Sequence, residues 1–185
     1  TRTNGSLLHA PTLNFGSGTV SYTYNGTSQQ TTGNELPSTI SGTFTVNNSA
    51  GVVLNSPLSV GTLALTAGIL TTTDVNLLTV TGTTTGSAPN GSATAYVNGP
   101  LVRRLPASLV SGTTYVFPVG KGSSFNPIAL VDALTSAGGT VDIRTEVFAA
   151  NSGGTAGTGL ASINTDRYWQ ASITSGEGNF TSSKI

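Results

Sequence analysis

Apolar residues recur along this chain in short alternating runs: Val20, Tyr22 and Tyr24, then Ile40, Phe44 and Val46, then Val52 and Leu54. Leu58 and Val60, Leu63 and Leu65, and finally Ile69, Val75, Leu78 and Val80 continue the series. Alternation puts every second side chain on one face, the pattern of a half-buried strand. Gly, Asn or Pro separates the runs, at Asn47-Asn48, Gly51, Asn55 to Pro57, Gly61 and Gly68, and Asp74 breaks the last. Asn25-Gly26 after Tyr24 is a two-residue turn signal. No segment carries a 3.6-residue period, so long helices are not expected.

The runs also repeat. AGVVLNSPLSV (50–60) aligns with AGILTTTDVNLLTV (67–80), Ala50-Gly51 against Ala67-Gly68 and Val60 against Val80. The offset is larger at the closing Val than at the Ala-Gly pair, so a turn differs in length between them. A period of about 20 residues marks a solenoid, in which one coil buries its apolar face only against a neighbour. Residues 12–85 give about four coils, or ~15–20 Å of stack at the usual inter-strand spacing. An antiparallel sandwich could use the same strands, but it favours two-residue hairpins that most of these connections lack.

A composition shift falls at GSAPNGSATAYVNGP (86–100), and beyond it strands are expected at 113–119, 127–132 and 140–148. A Gly-rich loop follows at 150–162, and another strand opens at 166–174. The expected fold is all-β: a short right-handed parallel β-solenoid (β-helix) over residues 1–100, followed by a small antiparallel β-sandwich-like unit over 101–165. Residues 166–185 read as the start of a further β segment or module.

Charge sharpens this picture. Only 8% of the 185 residues are charged, against roughly a quarter in ordinary soluble domains. Between Glu35 and Arg103 the single charged residue is Asp74. Thr, Ser and Gly together fill over two-fifths of the chain, favouring strands and turns. Net charge is zero and the basic residues are scattered, so nucleic acid is not an expected partner. No run of 18 apolar residues occurs, and no membrane span is expected. Cysteine is absent, which excludes disulfides and thiolate metal sites. The chain begins at Thr1 and has no Met, as in a processed protein or an excised piece. This composition suits a surface outside the cell.

Several strings, in order, carry a resemblance: FGSGTVSYTYNGTSQQT, FTVNNSAGVVLNSPLSVGTLALTAGILTT, YVNGPLVRRLP, YVFPVGKGSSFNPIAL and RYWQASI. Together, over most of residues 13–174, they resemble the repeat regions of large secreted surface proteins of the Bacteroidetes. Such chains are adhesin-like or gliding-associated, and are often exported by the type IX route. The C-terminal sorting domain of type IX substrates is not recognisable here. The resemblance implies an extended extracellular stalk or filament and transfers no catalytic residues. Its implied partners are neighbouring copies or modules of the same protein.

Candidate chemistry is sparse. Asp142, Arg144 and Glu146 share a strand face and could offer the paired carboxylates of glycoside hydrolysis, but they read better as a surface row of alternating sign. A polysaccharide-cleaving β-helix enzyme would gather acids on one solenoid face, and residues 36–102 hold only Asp74. His9 is the one histidine and has no triad partners nearby. No cofactor is expected; Ca²⁺ on Asp132 or Asp166 is the one metal reading. GKGS (120–123) lacks the upstream Gly of a phosphate loop and reads as a tight turn. Tyr168 and Trp169, with Arg103 and Arg104, are the candidate contacts for surface glycans, against a reading of Trp169 as a core anchor. Threonines at 43/45, 71–73, 79/81 and 83–85 could stack as an ice-binding face, although the repeats are irregular. Five Asn-x-Ser/Thr sequons, at Asn4, Asn25, Asn47, Asn90 and Asn179, are close to the number expected by chance. The expected function is a non-catalytic extracellular structural or adhesive module acting by β-stacking and edge docking, with glycan binding as the alternative.

Overall fold

The computed structural model describes residues 18–185; His9, Asn4 and the first residues of the 12–85 coil stretch lie outside them. Each of the first coils contributes one strand to a long sheet and one to a short sheet. The pairs are β1 (Tyr22–Tyr24) with β2 (Gln30–Thr31), β3 (Thr39–Asn47) with β4 (Val52–Val53), and β5 (Leu58–Ala67) with β6 (Leu70–Thr71). They continue with β7 (Leu78–Val80) and β8 (Val97–Asn98), then β9 (Leu101–Leu105), β10 (Thr114–Phe117) and β11 (Val119–Lys121). The remaining strands are β12 (Ser124–Phe125), β13 (Ile128–Thr135), β14 (Val141–Phe148), β15 (Tyr168–Ser175) and β16 (Phe180–Lys184).

The long sheet runs β1-β3-β5-β7-β9-β14-β15, and the short one β12-β11-β8-β6-β4-β2. All pairings from β1 to β9, and from β2 to β11, are parallel. This is a parallel β-solenoid of about five turns, one more than the periodicity suggests. The two aligned strings stack, as aligned at their closing Val but one residue beyond the Ala-Gly alignment at their start, where Ile69 would face Val52. Val52 pairs with Leu70 and Val60 with Val80. The second step along the chain is slightly the longer, so the added length sits in the turn after β6.

Register explains why these residues make coils. Ile40, Val60 and Val80 are successive partners in the long sheet, and all are buried. Val52, Leu70, Val97 and Val119 form the facing column in the short sheet. Each column continues only if the next coil supplies an apolar residue at the same height. At one corner the coils nearly touch. A Cβ at Gly42 would lie 2.2 Å from the Val20 carbonyl, at Gly61 2.1 Å from that of Ser41, and at Gly82 2.2 Å from that of Gly61. In all three coils the glycine follows a β-branched inward residue by one or two positions and precedes Thr.

The sheet does not break at residue 100. β9 pairs parallel with β7 on one side and antiparallel with β14 on the other, so the antiparallel unit grows from the solenoid's own sheet. A three-stranded sheet, β10-β13-β16, faces this end, and Tyr115, Phe117 and Leu130 share one core cluster with Val60, Leu78 and Val141. Residues 166–185 likewise close the unit, β15 onto β14 and β16 onto β13. Composition shifts near residue 100 because the strands turn antiparallel there and a loop is inserted, while the core carries on. Among the described residues no helix is long and apolar enough to cross a membrane.

Candidate binding surface

Arg103 pairs with Val80 on one side and Ile143 on the other, so alternation turns it into the core. It is 0% exposed. Its guanidinium donates to the carbonyls of Thr84 (3.1 Å), Thr85 (2.9 Å) and Val116, and lies 5.3 Å from the centroid of the Tyr115 ring and 5.8 Å from that of Phe117. No carboxylate is among these partners. Burial lowers its pKa to about 10, against a smaller opposing pull from Tyr115. Tyr115 adds a hydrogen bond to the Thr83 carbonyl at 2.8 Å. Arg103 is therefore no glycan contact: it holds the loop between β7 and β8 from inside.

Arg104, one residue on, faces outward. It binds Asp142 through two hydrogen bonds of 2.7 and 2.8 Å, which hold its pKa above the usual value against a smaller effect of burial. Arg144 donates to Glu146 at 2.6 Å and to Asp74, and Lys121 approaches Glu146 at 3.6 Å. The alternating row on β14 is thus tied to Asp74 of the solenoid and to β11. Asp142 and Glu146, the carboxylates that hydrolysis would need, are both engaged by arginine.

Tyr168 and Trp169 do not form one platform. Tyr168 pairs with Phe148 and Trp169 with Val147, so they project to opposite faces. Trp169 is 43% exposed, and its indole N–H donates to the Asn126 carbonyl at 3.0 Å. Arg104 pairs with Asp142, at the far end of β14 from Phe148. The four residues singled out for glycans are therefore dispersed.

Asp132 has a left-handed backbone, φ 53°. Its carboxylate accepts from Gly112 N–H (2.9 Å) and Lys184 Nζ (2.9 Å). The Lys184 hydrogen bond, then that of Gly112, holds its pKa below the usual carboxylate value. Asp166 lies in an Asn164-capped turn. Among the described residues no group of three or more His, Asp or Glu side chains converges. Of GKGS, Gly120 and Lys121 end β11 and Gly122-Ser123 make the turn to β12, with Gly122 at φ 61°. The threonines are only partly aligned. Thr23 pairs with Thr45 and Thr43 with Thr62, but Ala64 follows Thr45, and the row Thr39, Ser59, Thr79 ends at Val102.

Two features lack a signal in the sequence. The first is a groove of about 230 Å³ between β15 and β16, lined by Leu130, Ile143, Ala171, Ile173, Phe180 and Ile185 among others. It opens where both sheets end, since among the described residues no strand pairs with the far edge of β15 or β16. The second is the rung at the end of β14. There the rings of Phe148 and Tyr168 stack with centroids 4.8 Å apart and planes at 10°, beside Lys121. Searches against family models, curated proteins and solved structures give no match for this chain.

Proposed function

We propose that the chain is a non-catalytic structural and adhesive module of an extracellular surface or filament protein, acting by β-stacking and edge docking. The observation that carries this reading is the juxtaposition at its antiparallel end: two sheets stop side by side with an apolar groove between their last strands. Unpaired N–H and C=O groups along β15 can be satisfied by an added strand, whose alternate side chains would fill the groove. Low charge supports the same reading, because few ionic groups need desolvation when such faces meet. The engagement of Asp142 and Glu146 by arginine favours structure over hydrolysis. The resemblance to Bacteroidetes surface proteins supports the location outside the cell.

Sedimentation of the chain over a wide concentration range tests the proposal. Association is expected to rise with concentration and to be lost in Ala171→Lys, which aims a charge into the groove. A wild-type chain that stays monomeric at the highest concentrations sinks it.

A further inference from the structure

The Phe148–Tyr168 rung carries chemistry that edge docking does not use. Lys121 Nζ lies over the Phe148 ring, 5.8 Å from its centroid, and 3.6 Å from Glu146 Oε1. Glu146 pairs across the strands with Gln170, which lies two residues from Tyr168 and so on the same face. Tyr168 belongs to the last strand of its sheet, so the stack leads out to the edge. From this rung, too, the chain leaves β14 and returns on β15 through a long loop, 149–167, with neither strand nor helix. A hairpin needs about 2–5 residues to reverse, and connections as long as this one are commonly functional.

We propose that this rung is a binding site for a neutral saccharide. A sugar ring presents apolar C–H groups on its face and hydroxyls at its rim. The Tyr168 ring offers the surface for the first. Lys121 and the Gln170 amide N–H donate to hydroxyl oxygens and the Gln170 carbonyl accepts from hydroxyl hydrogens, while Glu146, buried and held by Arg144 and Lys121, positions the lysine. Donors and acceptors side by side around an aromatic face suit a ligand that is both at every position. Charges in the patch balance, Lys121 and Arg144 against Glu146 and Asp74, which favours a neutral sugar over a uronic acid or a phosphate. The site is separate from the groove, which lies on the other face of β15.

The test is calorimetric titration of the whole chain with neutral gluco-, xylo-, manno- and N-acetylglucosamine oligosaccharides, alongside oligogalacturonate. At least one neutral series is expected to bind. Tyr168→Ala should weaken that binding by about tenfold or more, the order expected for loss of a stacked ring. Gln170→Ala, at an exposed edge position, should weaken it several-fold with the melting temperature unchanged. Trp169→Ala, on the opposite face, should leave it intact. No binding by any neutral series, binding confined to the uronate, or Tyr168→Ala and Gln170→Ala both binding as wild type would each overturn the proposal. Because Ala171→Lys blocks the groove and leaves the rung, failure of association and failure of sugar binding are separable results.

Discussion

Val80 and Arg103 are register partners on adjacent parallel strands, so an arginine occupies the place that a valine fills one coil earlier. The column Ile40, Val60, Val80 thus meets a cation just where the chain inserts the whole of 81–96 between β7 and β8. Arg103 converts this potential break in the core into an anchor by saturating carbonyls of Thr84, Thr85 and Val116. Arg103→Met keeps the stem and removes the donors. It is expected to cost about 2–4 kcal/mol, since buried carbonyls lose their partners. Urea unfolding at neutral pH measures this, and an unshifted midpoint would mean that the loop finds water instead.

The glycine corner makes a second prediction. Gly61→Ala places a Cβ 2.1 Å from the Ser41 carbonyl, where only backbone could yield. Destabilisation of about 1–3 kcal/mol or more follows from such overpacking. Gly86→Ala, with nothing near its Cβ position, should stay within about 0.5 kcal/mol of wild type. Equal melting temperatures for the two variants would contradict the close-contact account.

Acid should loosen the attachment of β16 to β13. The folded-state pKa of Asp132 lies below its ordinary value, chiefly through the Lys184 hydrogen bond. Its contribution is therefore complete above the ordinary value and lost as pH falls through the depressed one. Lys184 is shifted upward by the same bond, so its share is complete below the ordinary lysine value and lost as pH rises through the raised one. Asp132→Asn preserves the left-handed backbone, which Asn tolerates. Thermal melts should show wild type above this variant near neutrality and the two converging toward about pH 2. A gap that persists in acid would exclude the carboxylate as its source.

The outer ion pairs should prove unequal. Asp74 is exposed, and Arg144 keeps Glu146 when Asp74 is removed. Asp74→Ala is expected to cost less than about 1 kcal/mol, and less still at high salt. Arg144→Ala leaves the buried Glu146 with only the longer Lys121 contact and should cost about 2 kcal/mol. Denaturant titrations at low and high salt separate the two. A larger loss for Asp74 would reverse the assignment.

Much of the solenoid is legible from residues alone, because its cause is local. Val60 and Val80 recur with the same neighbours, and a parallel stack requires such recurrence. The continuation past residue 100 is hidden because Arg103 looks like a surface residue; only register with Val80 shows that it points inward. The dispersal of Tyr168, Trp169, Arg103 and Arg104 has the same origin. Adjacent residues in a strand face opposite ways, so a cluster in sequence becomes a split in space. Conversely, Lys121, Glu146, Phe148 and Tyr168 are scattered in sequence and meet through pairing across the end of the fold, which no single-strand pattern encodes.

Gly42, Gly61 and Gly82 clamp one corner of successive coils, whereas the seam that leads on to the short sheet varies from Gly68-Ile69 alone between β5 and β6 to the stretch 83–96 between Gly82 and β8. Growth in chain length is thereby channelled to one side of the stack. A foreign peptide spliced in at Asn90, beyond the carbonyls that Arg103 holds, would project from that side and leave the pitch of the coils untouched. The fold is in this sense a ready display scaffold, with a fixed spine and an expandable flank.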